Sequence, residues 1–225
     1  ILDAPGAFDF AGEVMEALWA ADAAVLVCSA KDGISVGLEK SWKYCEERNM
    51  PRFLYISKTD EENSDYQGTL SAIREKYGNR IAPLAAPSPD GKAIVDLVTG
   101  KAYQTGKGGK RTECPVPDSM AAEVEDLRAA LMEAAAGADE ELIEKFLDTM
   151  ELTPEEIQKG MSAGVLEGSV VPVLCGSAIS GLGTLMLLDS VVSMAPNPAQ
   201  AAPLTATLSD DKTEEYKVDP AGPAA

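Results

Sequence analysis

The stretch AADAAVLVCSAKDGISVGLEKSWKYCEERNMPRFLYISKTD, residues 20–60, decides the fold. It opens on an apolar run, Ala24-Val25-Leu26-Val27-Cys28, and closes on another, Phe53-Leu54-Tyr55-Ile56. Runs apolar at nearly every position suit strands buried on both faces, as in a parallel sheet. Parallel neighbours need a crossover between them. Val36 to Arg48 supplies one, with Leu38, Trp42 and Cys45 at helical spacing. A third run, Val170 to Cys175, matches the first two, and the Leu2 segment is expected to add a fourth strand. Ala11 to Ala21 predicts a further helix with Val14, Leu18 and Trp19 on one face, so Trp19 and Trp42 are both expected in the core. Strand and helix alternate, which gives an α/β fold.

Outward from this unit the pattern changes after Tyr77. Residues 81–117 carry turn signals at Pro89-Asp90-Gly91, Thr99-Gly100 and Gly106 to Gly109, separated by short apolar runs, which predict two to four antiparallel strands. Ser119 to about Gly168 reads as helices. One starts at Thr153-Pro154-Glu155-Glu156, with Thr as N-cap, Pro at the first helical position and Glu three residues after the cap. Met132, Met150 and Met161 read as packing residues. The strand-to-helix logic resumes at Val170, continues through a helix at Leu185 to Ser193, and gives way to the linker APNPAQAAP and a strand-like LTATL. The expected division is therefore 1–80 and 169–199 as one α/β domain, 81–168 as an inserted α+β subdomain, and 200–225 as a linker with the start of a next domain.

Hydrophobic residues at 45% and charged residues at 25% fit a folded globular chain. No apolar run reaches the ~18 residues of a membrane span, and the start lacks a signal-peptide pattern. A net charge of -18 repels nucleic acid phosphates, so direct nucleic-acid binding is not expected. The acid excess is strongest between Asp118 and Glu167 and reads as a solvated face or as a docking surface for a basic partner. Cys28, Cys45, Cys114 and Cys175 form no C-x-x-C pair and read as reduced, mostly packed thiols of a cytoplasmic protein. The chain has no histidine, the commonest general base.

Each predicted core strand runs into polar residues: Leu2 into Asp3-Ala4-Pro5-Gly6, Ile56 into Ser57-Lys58-Thr59-Asp60, Cys175 into Gly176-Ser177-Ala178. Ligands of open parallel sheets bind beyond the carboxyl ends of the strands, so these clusters are expected to meet at one ligand. In order and spacing they resemble the G domains of translational GTPases, most closely elongation factor G and its ribosome-protection relatives. Asp3-Ala4-Pro5-Gly6-Ala7-Phe8-Asp9-Phe10 is similar to that family's D-T-P-G-H-V-D-F, Ser57-Lys58-Thr59-Asp60 to its N-K-x-D, and Cys175-Gly176-Ser177-Ala178 to its C-G-S-A. The resemblance covers about residues 1 to 200. It implies an incomplete P-loop GTPase-type three-layer fold, parallel core strands with flanking helices, that binds GTP or GDP with Mg²⁺ and acts on the ribosome. By the same resemblance Asp3 holds Mg²⁺ through a water and the Gly6 amide approaches the γ-phosphate. Asp60 accepts from the guanine N1–H and N2–H₂, Lys58 lays its stem along the base, Ala178 offers its amide to O6 and Ser177 shapes the turn. The acidic insertion corresponds to the one that meets the ribosomal stalk protein in elongation factor G.

The sequence departs from the family at three places. Ala7 stands where the family has the histidine that orients the attacking water, so no catalytic residue is assigned and intrinsic hydrolysis is expected to fall by roughly 10²- to 10⁴-fold. Ser57 replaces the family's Asn, at a cost on the order of 0.5–1.5 kcal/mol for one lost hydrogen bond. No G-x-x-x-x-G-K-[ST] occurs. TGKGGKRT, residues 105–112, reads instead as a flexible basic hairpin tip. The chain is thus expected to be a piece that begins after the phosphate loop and first switch, with weak or absent nucleotide affinity and no turnover of its own. The parent protein is expected to be a GTPase with slow or partner-dependent hydrolysis. Open beside that are a GTPase-fold ribosome-binding protein without turnover and a ribosome-protection factor.

Overall fold

The computed structural model describes residues 1–106, 109–197, 203–207, 212–216, 219 and 222. After a 3₁₀ turn at Phe8–Phe10, the chain forms α1 (Ala11–Ala20), β1 (Ala24–Ser29), α2 (Val36–Glu47), β2 (Arg52–Ser57), α3 (Tyr66–Tyr77) and β3 (Ile81–Pro83). Four strands follow, β4 (Ala85–Pro87), β5 (Ala93–Asp96), β6 (Lys101–Thr105) and β7 (Arg111–Cys114), then α4 (Ala121–Ala136), α5 (Glu140–Thr149) and α6 (Pro154–Glu167). β8 (Val171–Cys175) and α7 (Thr184–Met194) return to the first unit, and β9 (Leu204–Thr207) pairs antiparallel with β10 (Thr213–Tyr216).

Four strands make a parallel sheet in the order β1-β2-β8-β3, flanked by helices. Its middle is dry: Phe53, Leu54, Ile56, Val171, Val173, Leu174 and Cys175 are fully buried. The crossover helices start at residues chosen to receive orphan N–H groups. Ser35 Oγ accepts from Leu38 N at 3.2 Å ahead of α2, and Asp65 Oδ1 accepts from Gly68 N at 2.8 Å ahead of α3. Leu38, Trp42 and Cys45 are the buried stripe of α2, as their spacing predicts. All four cysteines are free thiols, and burial pushes Cys28 and Cys45 up to about 11.

The second sheet is antiparallel, β4-β5-β6-β7, with α4, α5 and α6 behind it in sequence. The capping box at Thr153 forms: Glu156 N donates to Thr153 Oγ1 at 3.3 Å and Thr153 N to Glu156 Oε2 at 2.8 Å. α4 and α6 touch through small residues. A Cβ on Gly160 would lie 2.2 Å from Ala135 O. Only hydrogen fits there.

Several expectations shift. Residues 1–6 form no strand: β1 is the sheet's edge strand and pairs only with β2, and the Leu2 segment lines a cavity with Val25 and Val27 of β1 without pairing to it. Trp19 is 74% exposed: α1 buries none of its residues fully, and Arg48 anchors its last turn by donating to Leu18 O at 2.7 Å and Trp19 O at 3.1 Å. Met150 is exposed as the left-handed cap of α5 (φ 56°), whereas Met161 is buried. The boundary expected at 81 falls early, since Ile81–Pro83 pairs with β8 in the parallel sheet and the antiparallel sheet starts at Ala85. Leu84 is the joint; its N–H donates to Val173 O and its carbonyl accepts from Leu97 N. The basic hairpin forms between β6 and β7, but Lys107 and Gly108 lie outside the described residues, as does 198–202 of the expected linker.

Candidate functional site

β2 and β8 are neighbours in the sheet, paired Leu54↔Val173 to Ile56↔Cys175, so the loops that follow them leave side by side. The backbones stay in contact beyond the strands: Gly176 N donates to Ile56 O at 3.0 Å and Thr59 N to Gly176 O at 3.3 Å. The side chains then meet. Ser177 Oγ donates to Asp60 Oδ2 at 2.7 Å and accepts from Ser180 N at 3.2 Å. Ser177 is buried, while Asp60 and Ala178 are exposed. Among the described residues Asp60 Oδ1 and the Ala178 N–H keep no partner, which leaves an acceptor and a donor facing outward from adjacent loops.

Lys58 takes the left-handed conformation (φ 60°) and lies beside Asp32 at 3.9 Å and Glu61 at 4.0 Å. Ser57 Oγ donates to Cys28 O at 2.8 Å, tying the loop back to the end of β1. Ser57, Lys58, Asp60, Ser177 and Ala178 therefore share one rim. Asp3 and Gly6 do not join it. They line a cavity of about 620 Å³ with Val25, Val27, Ser35 and Gly37, and none of the five rim residues lines it. No hydrogen bond or ion pair links Asp3 or Gly6 to the rim among the described residues. Ala7 is exposed.

Three further residues, Gly176 within the C-G-S-A stretch and Gly183 and Tyr55 outside the motifs, shape the rim. Gly176 and Gly183 allow the β8–α7 loop to close on itself: a Cβ on Gly176 would meet Leu182 O at 2.0 Å, and one on Gly183 (φ +77°) would meet Cys175 O at 2.1 Å. Tyr55 lies beneath, its hydroxyl donating to Leu182 O at 3.4 Å and standing 2.6 Å from where a Gly176 Cβ would be. Burial pushes the Tyr55 phenol up to about 12, so it stays a neutral donor. The glycines were visible in sequence as Gly176 and Gly181-Leu182-Gly183; Tyr55 looked like any strand residue.

The donor set is all oxygen and nitrogen on fixed loops, and no group of three or more Cys, Asp or Glu able to hold a metal exists among the described residues. A family model described as the elongation factor Tu GTP binding domain matches residues 1–197. A crystal structure of a protein from Thermus thermophilus matches with a TM-score of 0.81 and 34% sequence identity, over 92% of this chain and 32% of that one. The chain thus spans about a third of the length of that solved relative.

Proposed function

The chain belongs to the elongation factor Tu GTP-binding domain family, the G domains of translational GTPases, and from that premise we propose that its β2 and β8 loops bind the guanine base of GTP or GDP. The observation that carries the reading is the Ser177–Asp60 hydrogen bond, which holds a carboxylate with a free oxygen beside the unpartnered Ala178 amide. A guanine edge presents N1–H and N2–H₂ to a carboxylate and O6 to an amide, whereas adenine, with an acceptor at N1 and a donor at N6, matches neither group. Lys58 would cover one face of the base with its methylenes. Asp3, exposed and unpaired among the described residues, suits Mg²⁺ that is held chiefly by nucleotide phosphates, where the ion neutralises their charge.

The wider reading is an elongation factor G-like protein of the cytoplasm that acts on the ribosome. No described helix is long and apolar enough to cross a membrane. Two observations favour slow or partner-dependent hydrolysis, or a ribosome-binding protein without turnover, over an efficient GTPase: the methyl group at Ala7, and Ser57, whose hydroxyl is spent on Cys28 O. A ribosome-protection factor uses the same G domain. For the insertion, the exposed ridge of Ile143, Leu147 and Met150 beside Glu140, Glu144 and Asp148 supports docking of a basic partner, the stalk protein foremost.

Titration of ¹⁵N-labelled protein with GDP and ADP tests the base site. GDP is expected to shift the amides of Thr59, Asp60 and Ala178 at millimolar concentration. Equal shifts with ADP would overturn the reading, as would loss of neither affinity nor selectivity in Asp60→Ala. Charge reversal at Glu140, Glu144 and Asp148 with unchanged stalk binding removes that partner.

A further inference from the structure

The inserted antiparallel sheet is not merely appended to the chain between β3 and β8; one of its ends rests on both base loops. Its register places two connections at that end: the β4–β5 turn follows the pair Pro87↔Ile94, and the β6–β7 hairpin follows Ala93↔Gln104 with Thr105↔Arg111. The turn reaches the β2 loop. A Cβ on Gly91 would sit 3.5 Å from both Asp60 Cα and Thr59 O, so the Gly91 backbone is packed against the residue that carries the carboxylate. Gly91 has φ +66°, and the turn is fixed internally by Ser88 Oγ, which donates to Asp90 Oδ1 at 2.6 Å and accepts from Ala93 N at 2.9 Å. The hairpin reaches the β8 loop. Thr105 Oγ1 donates to Gly181 O at 3.3 Å, and Arg111, stacked 4.7 Å over the Tyr103 ring, pairs with Asp189 on α7 at 3.3 Å.

We infer that the inserted sheet positions the guanine site, holding the β2 loop through Gly91 and the β8 loop through Thr105, with Arg111 tying the hairpin to the helix that follows that loop, so that displacement of the insertion changes guanine affinity. Beyond the strands the two loops are joined by two backbone hydrogen bonds and one between side chains, all close to the strand ends, and further support for their spacing comes from outside. A four-stranded sheet touching both from the same side behaves as a brace. The coupling is reciprocal: whatever shifts the insertion alters the base site, and a bound base steadies the insertion by the same factor. This deepens the guanine reading and rests on it for the ligand, though not for the mechanical link.

Hydrogen exchange of the intact chain separates the two. Gly91→Val, which puts a branched side chain at a positive φ against Asp60, is expected to speed exchange at 58–61 by roughly tenfold through local opening. Thr105→Val, which keeps the shape and removes the donor, is expected to do the same at 178–183 to a smaller degree. Exchange in β1 should not change in either. Loops that exchange at the parental rate in both variants overturn the inference; should Gly91→Val fail to fold, Thr105→Val decides it alone. GDP is then expected to protect 88–92 and 104–106 along with the base loops. Protection of the base loops alone overturns the inference, whereas faster exchange in the variants with no effect of GDP anywhere supports the brace and removes the guanine reading. GDP and IDP provide the readout that mere destabilisation would not move. IDP lacks the N2 amine that Asp60 would receive, so a displaced Asp60 lowers the GDP-to-IDP preference, while general loosening weakens both equally.

Discussion

β1 and β8 are strands of one sheet with almost the same composition, and they end up in opposite surroundings. Every residue of β8 is buried, between β2 on one side and β3 on the other. β1 alternates, with Ala24, Leu26 and Cys28 inside and Val25 and Val27 at 40% and 58% exposure. Its helical neighbour α1 repeats the contrast, since Trp19 is 74% exposed while Trp42 on α2 is enclosed, stacked on Tyr77 with ring centroids 3.8 Å apart. An apolar run states that a strand can be buried on both faces. It does not state that a neighbour is present to do so.

The contrast predicts unequal costs. Leu174→Ala in β8 should destabilise by about 2–5 kcal/mol, the range for a large-to-small change in a closed core, while Val27→Ala in β1 should cost less than ~0.5 kcal/mol as a surface change. Urea unfolding of the two variants measures both, and equal costs would dissolve the distinction. The insertion sharpens it. Gly160→Val forces a side chain into Ala135 O across the α4–α6 contact, and overpacking of this kind costs typically about 1–3 kcal/mol, visible as a lowered midpoint. Thr153→Ala removes one half of the capping box of α6 and should cost about 1 kcal/mol in the same assay. The smallest effect belongs to Trp19→Phe. Stability should hold within ~0.5 kcal/mol, yet most acrylamide-quenchable fluorescence should vanish, leaving the shielded emission of Trp42.

What the sequence disclosed tracks how local the cause is. β1, β2, β8, the stripe of α2 and the capping box at Thr153 depend on runs and spacings within a dozen residues, and all appear where those patterns place them. Trp19, Met150 and the Leu2 segment depend on which surface lies opposite, and pattern alone assigned them to packing or pairing they do not have. The joint at Leu84 was hidden because Ile81–Pro83 and Ala85–Pro87 are alike in composition yet belong to different sheets. At the site, the order of the loops after the strands was legible, and it places Ser57, Lys58, Asp60, Ser177 and Ala178 on one rim. The support from Tyr55, Gly91 and Thr105 was not, since a strand tyrosine or a turn glycine carries no mark of what it will touch.

The bond from Ser177 to Asp60 joins residues 117 positions apart. At the usual pace of polypeptide synthesis, about 5–20 residues per second, the carboxylate waits roughly 6 to 23 s for its partner to be made. During that interval the nascent loop after β2 is incomplete, and the whole insertion is produced before the gap can close. The proposed base site is therefore assembled only after the whole insertion has been made, however early its first residue is laid down.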